Sequence, residues 1–184
     1  AATDEPLRYE IGEIRKMIKR TSSEIRRLSF YLHPTLLIDL GLEPALGRYF
    51  ADIEKHSGLE IDFSMVGFDE RLDRDIETVL YRFSQEAMTN TLKHSGAETF
   101  RLSMVKSYPI IIFMAEDDGT GFNAQIIGRD QQSLGLLVMR ERTSLLGGTF
   151  QLRSNPGEGT RIRIEIPYSE ESIGEENHQN SAGG

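Results

Sequence analysis

Phe83-Ser-Gln-Glu86-Ala-Met-Thr-Asn90-Thr-Leu-Lys93-His94 is the stretch on which the reading of this chain turns. Just before it, Ile76, Val79, Leu80 and Phe83 recur at helical spacing and mark a face turned toward a core, and Glu86, Asn90 and His94 continue that line. A carboxylate and an amide on a buried stripe cost on the order of a few kcal/mol each if left unpaired, so something must meet them. A hydrated magnesium ion with a polyphosphate would do so. Magnesium keeps most of its waters and takes few protein oxygens, which suits one amide ligand from Asn90 and a Glu86 carboxylate that holds or polarises a water. An internally satisfied polar network answers the same need, and the helix alone does not choose between them.

Downstream, Ile110-Ile-Ile-Phe-Met-Ala115 is a short continuous apolar run, read as a central strand buried on both faces. Asp117 sits where it ends. Its carboxylate can accept from an amine, and Gly119 and Gly121 of Asp117-Asp-Gly119-Thr-Gly121 let the backbone take shapes closed to other residues and admit a flat ring. A Gly-x-Gly after a strand is most often only a turn. The chain contains neither Gly-x-Gly-x-x-Gly nor a P-loop, so those two nucleotide folds lose their main support.

Ser133 to Leu146 reads as a helix opened by a serine cap and Gly135 and closed by Gly147-Gly148, its amino end a general anion site. Thr149 to Ser154, the turn Asn155-Pro-Gly-Glu-Gly159, and Thr160 to Ile166 form a predicted hairpin. Ile162, Ile164 and Ile166 alternate with charge there, leaving one face wet.

An Asn-bearing helix, Asp-x-Gly-x-Gly, a Gly-rich helix start and Gly159-Thr160, in this order, resemble the ATP-binding domain shared by gyrase, the heat-shock chaperone, sensor histidine kinases and mismatch-repair ATPases. Phe83 to Ala97, Leu134-Gly-Leu with Met139-Arg-Glu-Arg142, and Leu32 to Leu42 narrow the likeness to two-component kinases of the nitrate-sensor and desaturase-thermosensor class. The resemblance covers about Ser23 to Pro167. It implies an α+β fold, a two-layer sandwich of the Bergerat type with helices on one face of a mixed sheet. It further implies that Glu86 is catalytic, that Asn90 binds magnesium directly and Glu86 through water, and that Asp117 receives adenine. Gly119, Gly121, Gly135, Gly159 and Thr160 would line the ATP. The helical stripe itself, which His94 extends with Lys93 beside it, suits a contact from these two to its phosphates. For the function, it implies the catalytic domain of a histidine kinase, passing a γ-phosphoryl group to a histidine and thence to a response regulator with a DNA-binding output domain. Such a domain is cytoplasmic, whether or not the whole protein is membrane-anchored.

Two departures stand out. Val138 occupies a place where many relatives carry a second glycine, which bears on lid closure. More importantly, relatives place the phosphorylated histidine on an earlier helix before Asp or Glu, and none of the four histidines here has that neighbour. His33 precedes Pro34 and reads as structural, as does His56 beside Ser57-Gly58; His178 lies in a polar tail. His94 fits both a phosphate contact and a packing role.

Leu7, Ile11, Ile14, Ile18, Thr21, Ile25, Leu28 and Leu32 alternate by fours and threes, a heptad seam broken only by Thr21. A long helix with so narrow a stripe needs a partner, and the resemblance identifies it as the second helix of a dimerisation module that forms a four-helix bundle in a homodimer. A helix folded back on its own domain is the alternative. The expected organisation is 1–34 for this helix, 35–167 for the catalytic domain and 168–184 for a solvated tail. The start at Ala1-Ala-Thr-Asp-Glu-Pro reads as that of an excised fragment.

Leu42, Leu46, Tyr49, Phe50 and Ile53 mark another core helix, Leu59 to Met65 alternates as a strand, and Thr99 to Val105 is a further strand. Helices and strands without a regular βαβ beat suit a two-layer sandwich. The net charge of −8 argues against nonspecific nucleic acid or acidic membrane contact, the absence of cysteine excludes disulfides, and no apolar run spans a bilayer. An anti-sigma-like binding regulator or serine kinase of the same fold is the alternative function, but it would lack the heptad helix.

Overall fold

The computed structural model describes residues 35–124 and 134–169. The heptad seam, His33, Ser133 and His178 lie outside them. The chain divides into two compact units, 1–39 and 40–184.

A short helix, α1 (Thr35–Leu40), is followed by α2 (Leu42–Ser57), β1 (Glu60–Val66), α3 (Arg74–Asn90), β2 (Thr99–Ser107), β3 (Ile110–Asp117), α4 (Leu134–Leu145), β4 (Thr149–Ser154) and β5 (Thr160–Pro167). The five strands form one sheet in the order β1-β2-β3-β5-β4. β1 runs parallel to β2 and every other neighbour is antiparallel, so the sheet is mixed. That outcome follows from the connections. The crossover helix α3 returns the chain parallel, whereas the turns at Tyr108-Pro109 and Asn155–Gly159 can only reverse it.

The core lies between the sheet and the helices. Phe100, Leu102 and Met104 of β2, Ile111, Phe113 and Ala115 of β3, and Ile162, Ile164 and Ile166 of β5 are buried at every second position. Against them stand Leu42, Leu46 and Phe50 of α2, Leu80, Phe83 and Met88 of α3, and Leu136 and Met139 of α4. Phe83 meets Phe113 edge-on at 6.2 Å between ring centres, which pins the middle of α3 to the central strand. Phe50 reaches Phe63 and Phe100 at 5.1 and 6.1 Å, tying α2 to β1 and β2. Each such ring contributes roughly 2–3 kcal/mol through its burial.

β3 is central, as its apolar run predicts, but it is buried on one face only. Ile110, Ile112 and Met114 point to the other side of the sheet and are partly exposed. The continuous run arises because the cross-strand neighbours Val105 and Arg163 partly cover that face; Arg163 also lies 3.5 Å from the sulfur of Met114.

Helix α3 starts at Asp73, whose carboxylate accepts from the Asp75 and Ile76 amides at 2.8 and 3.4 Å. In its first turns Glu77 is 3 % exposed and receives Arg71 in a two-pronged ion pair, Nε to Oε1 at 2.8 Å and Nη2 to Oε2 at 2.7 Å, with the Leu72 amide adding a third donor.

Candidate nucleotide-binding site

The far end of α3 does not stop at Asn90. It widens into one π-helical turn, Thr91–Ser95, which Gly96 closes in the left-handed region at φ +61°. The turn adds a residue to the local repeat and so shifts the side chains that follow. Glu86 and Asn90 are half-buried, but Lys93 and His94 are exposed, so the single stripe projected through Glu86, Asn90 and His94 ends at Asn90. The polar side chains of α3 that are truly buried are Glu77, Ser84 and Gln85.

Asn90 Nδ2 donates to Glu86 Oε1 at 3.2 Å, one helical turn apart. Gly135, second residue of α4, stands directly over that carboxylate: a Cβ added there would collide with Glu86 Oε1. Glycine lets α4 approach α3 without moving the Glu86 carboxylate, and this brings together two residues 49 positions apart in sequence.

Asp117 ends β3 beside the π turn. Its Oδ1 accepts from the Gly119 amide at 3.0 Å and its Oδ2 faces the Thr91 hydroxyl at 3.4 Å, while Thr160 is its register partner on β5. Burial pushes the carboxyl above its ordinary range and these donors pull it partly back, with the neighbouring Asp118 charge adding to the upward push. Asp118 itself has a different task. It accepts from the Glu98 and Thr99 amides and the Thr99 hydroxyl at 2.9 to 3.0 Å, which hold it below the usual carboxylate range and fix the start of β2 against the loop.

The loop glycines are needed first for packing against protein. A Cβ on Gly119 would stand 2.5 Å from the Ser95 Cβ and carbonyl oxygen, and the Thr120 amide donates to that same carbonyl at 2.8 Å. Gly121 has φ +57°, and its α-carbon lies against the Asn155 and Gly159 carbonyls. Ser154 closes the assembly: its hydroxyl donates to the Gly159 carbonyl at 2.8 Å, lies 3.2 Å from the Thr160 hydroxyl and accepts from the Phe122 amide at 2.9 Å.

Gly135, Glu86 and Asn90 form one cluster and Asp117, Gly119, Gly121, Gly159 and Thr160 another, bridged by Thr91, which follows Asn90 and faces Asp117. Lys93 and His94 share only the π turn. Thr91, Ser95 and Ser154 were missed by the motif reading, although Ala87, Thr91 and Ser95 recur every four residues and announce a line of small side chains running from α3 into the π turn. Arg71–Glu77 left no motif at all.

A two-layer domain with a carboxylate at a central strand end, an amide on the adjoining helix and a glycine loop between them defines the class of ATP-using sandwich domains. Residues 75–170 match the family described as histidine kinase-, DNA gyrase B-, and HSP90-like ATPase, and the chain belongs to that family. Among similar proteins, the signal transduction histidine-protein kinase/phosphatase DegS of Brevibacillus brevis is 36 % identical over 168 residues, 91 % of this chain and 43 % of its own length. The oxygen sensor histidine kinase NreB of Staphylococcus carnosus is 35 % identical, covering 85 % of this chain and 45 % of its own length. The chain therefore spans under half the length of these relatives. The histidine kinase domain of the Erythrobacter litoralis EL346 blue-light activated histidine kinase has the same fold, with a TM-score of 0.53 at 20 % identity, covering 68 % of this chain and 60 % of that one.

Proposed function

We propose that this chain is the catalytic domain of a two-component sensor histidine kinase, binding ATP with magnesium and supplying the γ-phosphoryl group to a histidine on a dimerisation helix. The observation that carries the proposal is the placement of the Gly135–Glu86–Asn90 cluster next in the chain to Thr91, which faces Asp117, so that a metal-competent pair stands beside an amine acceptor.

The chain's own residues fit the cation. Because Nδ2 of Asn90 is engaged by Glu86, its carbonyl oxygen is turned away as a ligand, and Glu86 Oε2 is left to hold a coordinated water. Among the described residues no three His, Cys, Asp or Glu side chains converge, and a cation held mainly by water and phosphates needs no such cluster. Bound there, magnesium would neutralise phosphate charge. Glu86 would orient or accept a proton from the attacking imidazole. Asp117 would accept from the adenine amine, and Gly119, Gly121, Gly135, Gly159 and Thr160 would line the nucleotide, with Lys93 and His94 at its phosphate end. Catalysis would rest on positioning rather than on a covalent bond to this domain.

The further reading follows the names of the relatives. The 1–34 segment would be the second helix of a homodimeric phosphotransfer module joined to a 35–167 catalytic domain, and the phosphoryl group would pass to a response regulator with a DNA-binding output domain in the cytoplasm. No helix among the described residues is long and apolar enough to cross a membrane. Calorimetry with a nonhydrolysable ATP analogue and magnesium tests the core of this reading: the chain binds, and Asn90→Ala and Asp117→Ala lose most of the affinity. Absence of binding by the unaltered chain would remove the reading. With γ-labelled ATP the chain binds without labelling itself, since no histidine in it precedes Asp or Glu.

A further inference from the structure

Thr91 is 4 % exposed, and its hydroxyl lies 3.1 Å from the Ala87 carbonyl and 3.4 Å from Asp117 Oδ2. A hydroxyl has one proton and can satisfy only one of these acceptors at a time. The helix already supplies the Ala87 carbonyl with a partner, because the Thr91 amide donates to it. A carbonyl can accept twice, but the Asp117 carboxylate is the stronger acceptor, so the Thr91 proton can be turned to Oδ2 while Oδ1 is held by the Gly119 amide. Oδ2 offers about two lone-pair positions, and Thr91 leaves one of them for a ligand.

We propose that Thr91 is a positioning residue for the nucleotide base: by occupying one side of Asp117 Oδ2 it fixes the plane of the carboxylate and leaves a single acceptor position, which selects a purine bearing an exocyclic amine over one bearing a carbonyl. The inference rests on the ATP reading above, and adds a residue that none of the sequence motifs singled out. Its location carries a consequence. Thr91 follows Asn90 directly at the point where α3 passes into the π turn, so the base end and the metal end of the site are set by adjacent residues of one helix.

The test compares ADP with inosine diphosphate, which carries a carbonyl in place of the amine, on the whole chain by calorimetry. The unaltered chain prefers ADP. Thr91→Val keeps the shape and removes the hydroxyl; it weakens ADP roughly tenfold, the loss of about one hydrogen bond, while leaving inosine diphosphate within about twofold. Thr91→Ser restores the preference. Equal weakening of both nucleotides by Thr91→Val, or no change in either, overturns the inference while leaving the ATP reading standing. Failure of the unaltered chain to bind either nucleotide overturns both.

Discussion

Gly135 of α4 lies against the carboxylate of Glu86 on α3, so close that one methyl group at position 135 could not coexist with the carboxylate where it stands. Glutamate is long and its end can swing away, which makes the contact a matter of position more than of stability. Gly135→Ala is therefore expected to melt within about 1 kcal/mol of the native chain, since the strain is relieved by one flexible side chain. Histidine phosphorylation in a longer protein carrying the acceptor helix should instead fall about 100-fold, as it would for Glu86→Ala if Glu86 is the base. The double variant should be no worse than Glu86→Ala alone. Additive losses would show that Gly135 acts separately from Glu86.

Asp117 yields a prediction with opposite signs. Its carboxyl is held above its ordinary value of 3.8 chiefly by burial. Folding thus takes up a proton between the ordinary and the raised value, and this group's effect on stability is most favourable below the former and declines as pH rises through the latter. Asp117→Asn removes that decline. The variant should melt above the native chain at neutral pH, with the difference closing in acid, while ADP affinity falls roughly 10- to 100-fold for the lost charged acceptor. Melting curves from pH 3 to 8 beside calorimetry at pH 7 would check both halves; a variant less stable at neutral pH would contradict the argument.

Arg71 and Glu77 provide a purely structural test. Arg71→Met strands a carboxylate of 4 % side-chain exposure and should cost about 3 kcal/mol in urea denaturation. Replacing both residues by Met should recover most of that loss, because no buried charge then remains unpaired. If the double variant is as unstable as the single one, the pair contributes through something other than charge compensation. Gly41, at φ +91°, lies beneath the Arg71 side chain, whose Cδ would stand 3.3 Å from a Cβ added there, so the same pair braces the start of α2.

Gln85 is 3 % exposed and its Oε1 has no hydrogen-bond partner. Gln85→Met keeps the volume and removes an orphaned acceptor, so it should stabilise the chain by about 1–2 kcal/mol. A thermal melt moving upward agrees; a downward shift would mean that the amide has a partner in solution.

The sequence was most informative where chemistry and period coincide. Asp117 at the end of an apolar strand, the Asn155–Gly159 turn and the alternation of Ile162, Ile164 and Ile166 all describe local geometry, and each is found where its spacing put it. The reading failed where it extended a period too far. The line Glu86, Asn90, His94 runs from half-buried to exposed across the π turn while the buried line continues through Ala87, Thr91 and Ser95, and nothing in Thr91-Leu-Lys-His-Ser95 announces that turn. Likewise a run of apolar residues does not reveal whether one face of a strand is covered by helices or only by neighbouring side chains, as for Ile110 to Ala115.

Local order, strand and helix type, and the identity of the polar groups were written in the chain, because backbone preference and hydrophobic period act over a few residues. The meeting of Gly135 with Glu86, of Thr91 with Asp117, and of Arg71 with Glu77 and Gly41 was decided by tertiary packing alone. These contacts depend on where helices cross a sheet whose strand order, β1-β2-β3-β5-β4, departs from the order of the chain. Short-range energies do not encode a crossing; it emerges only when buried rings such as Phe83 and Phe113 find one another across the core.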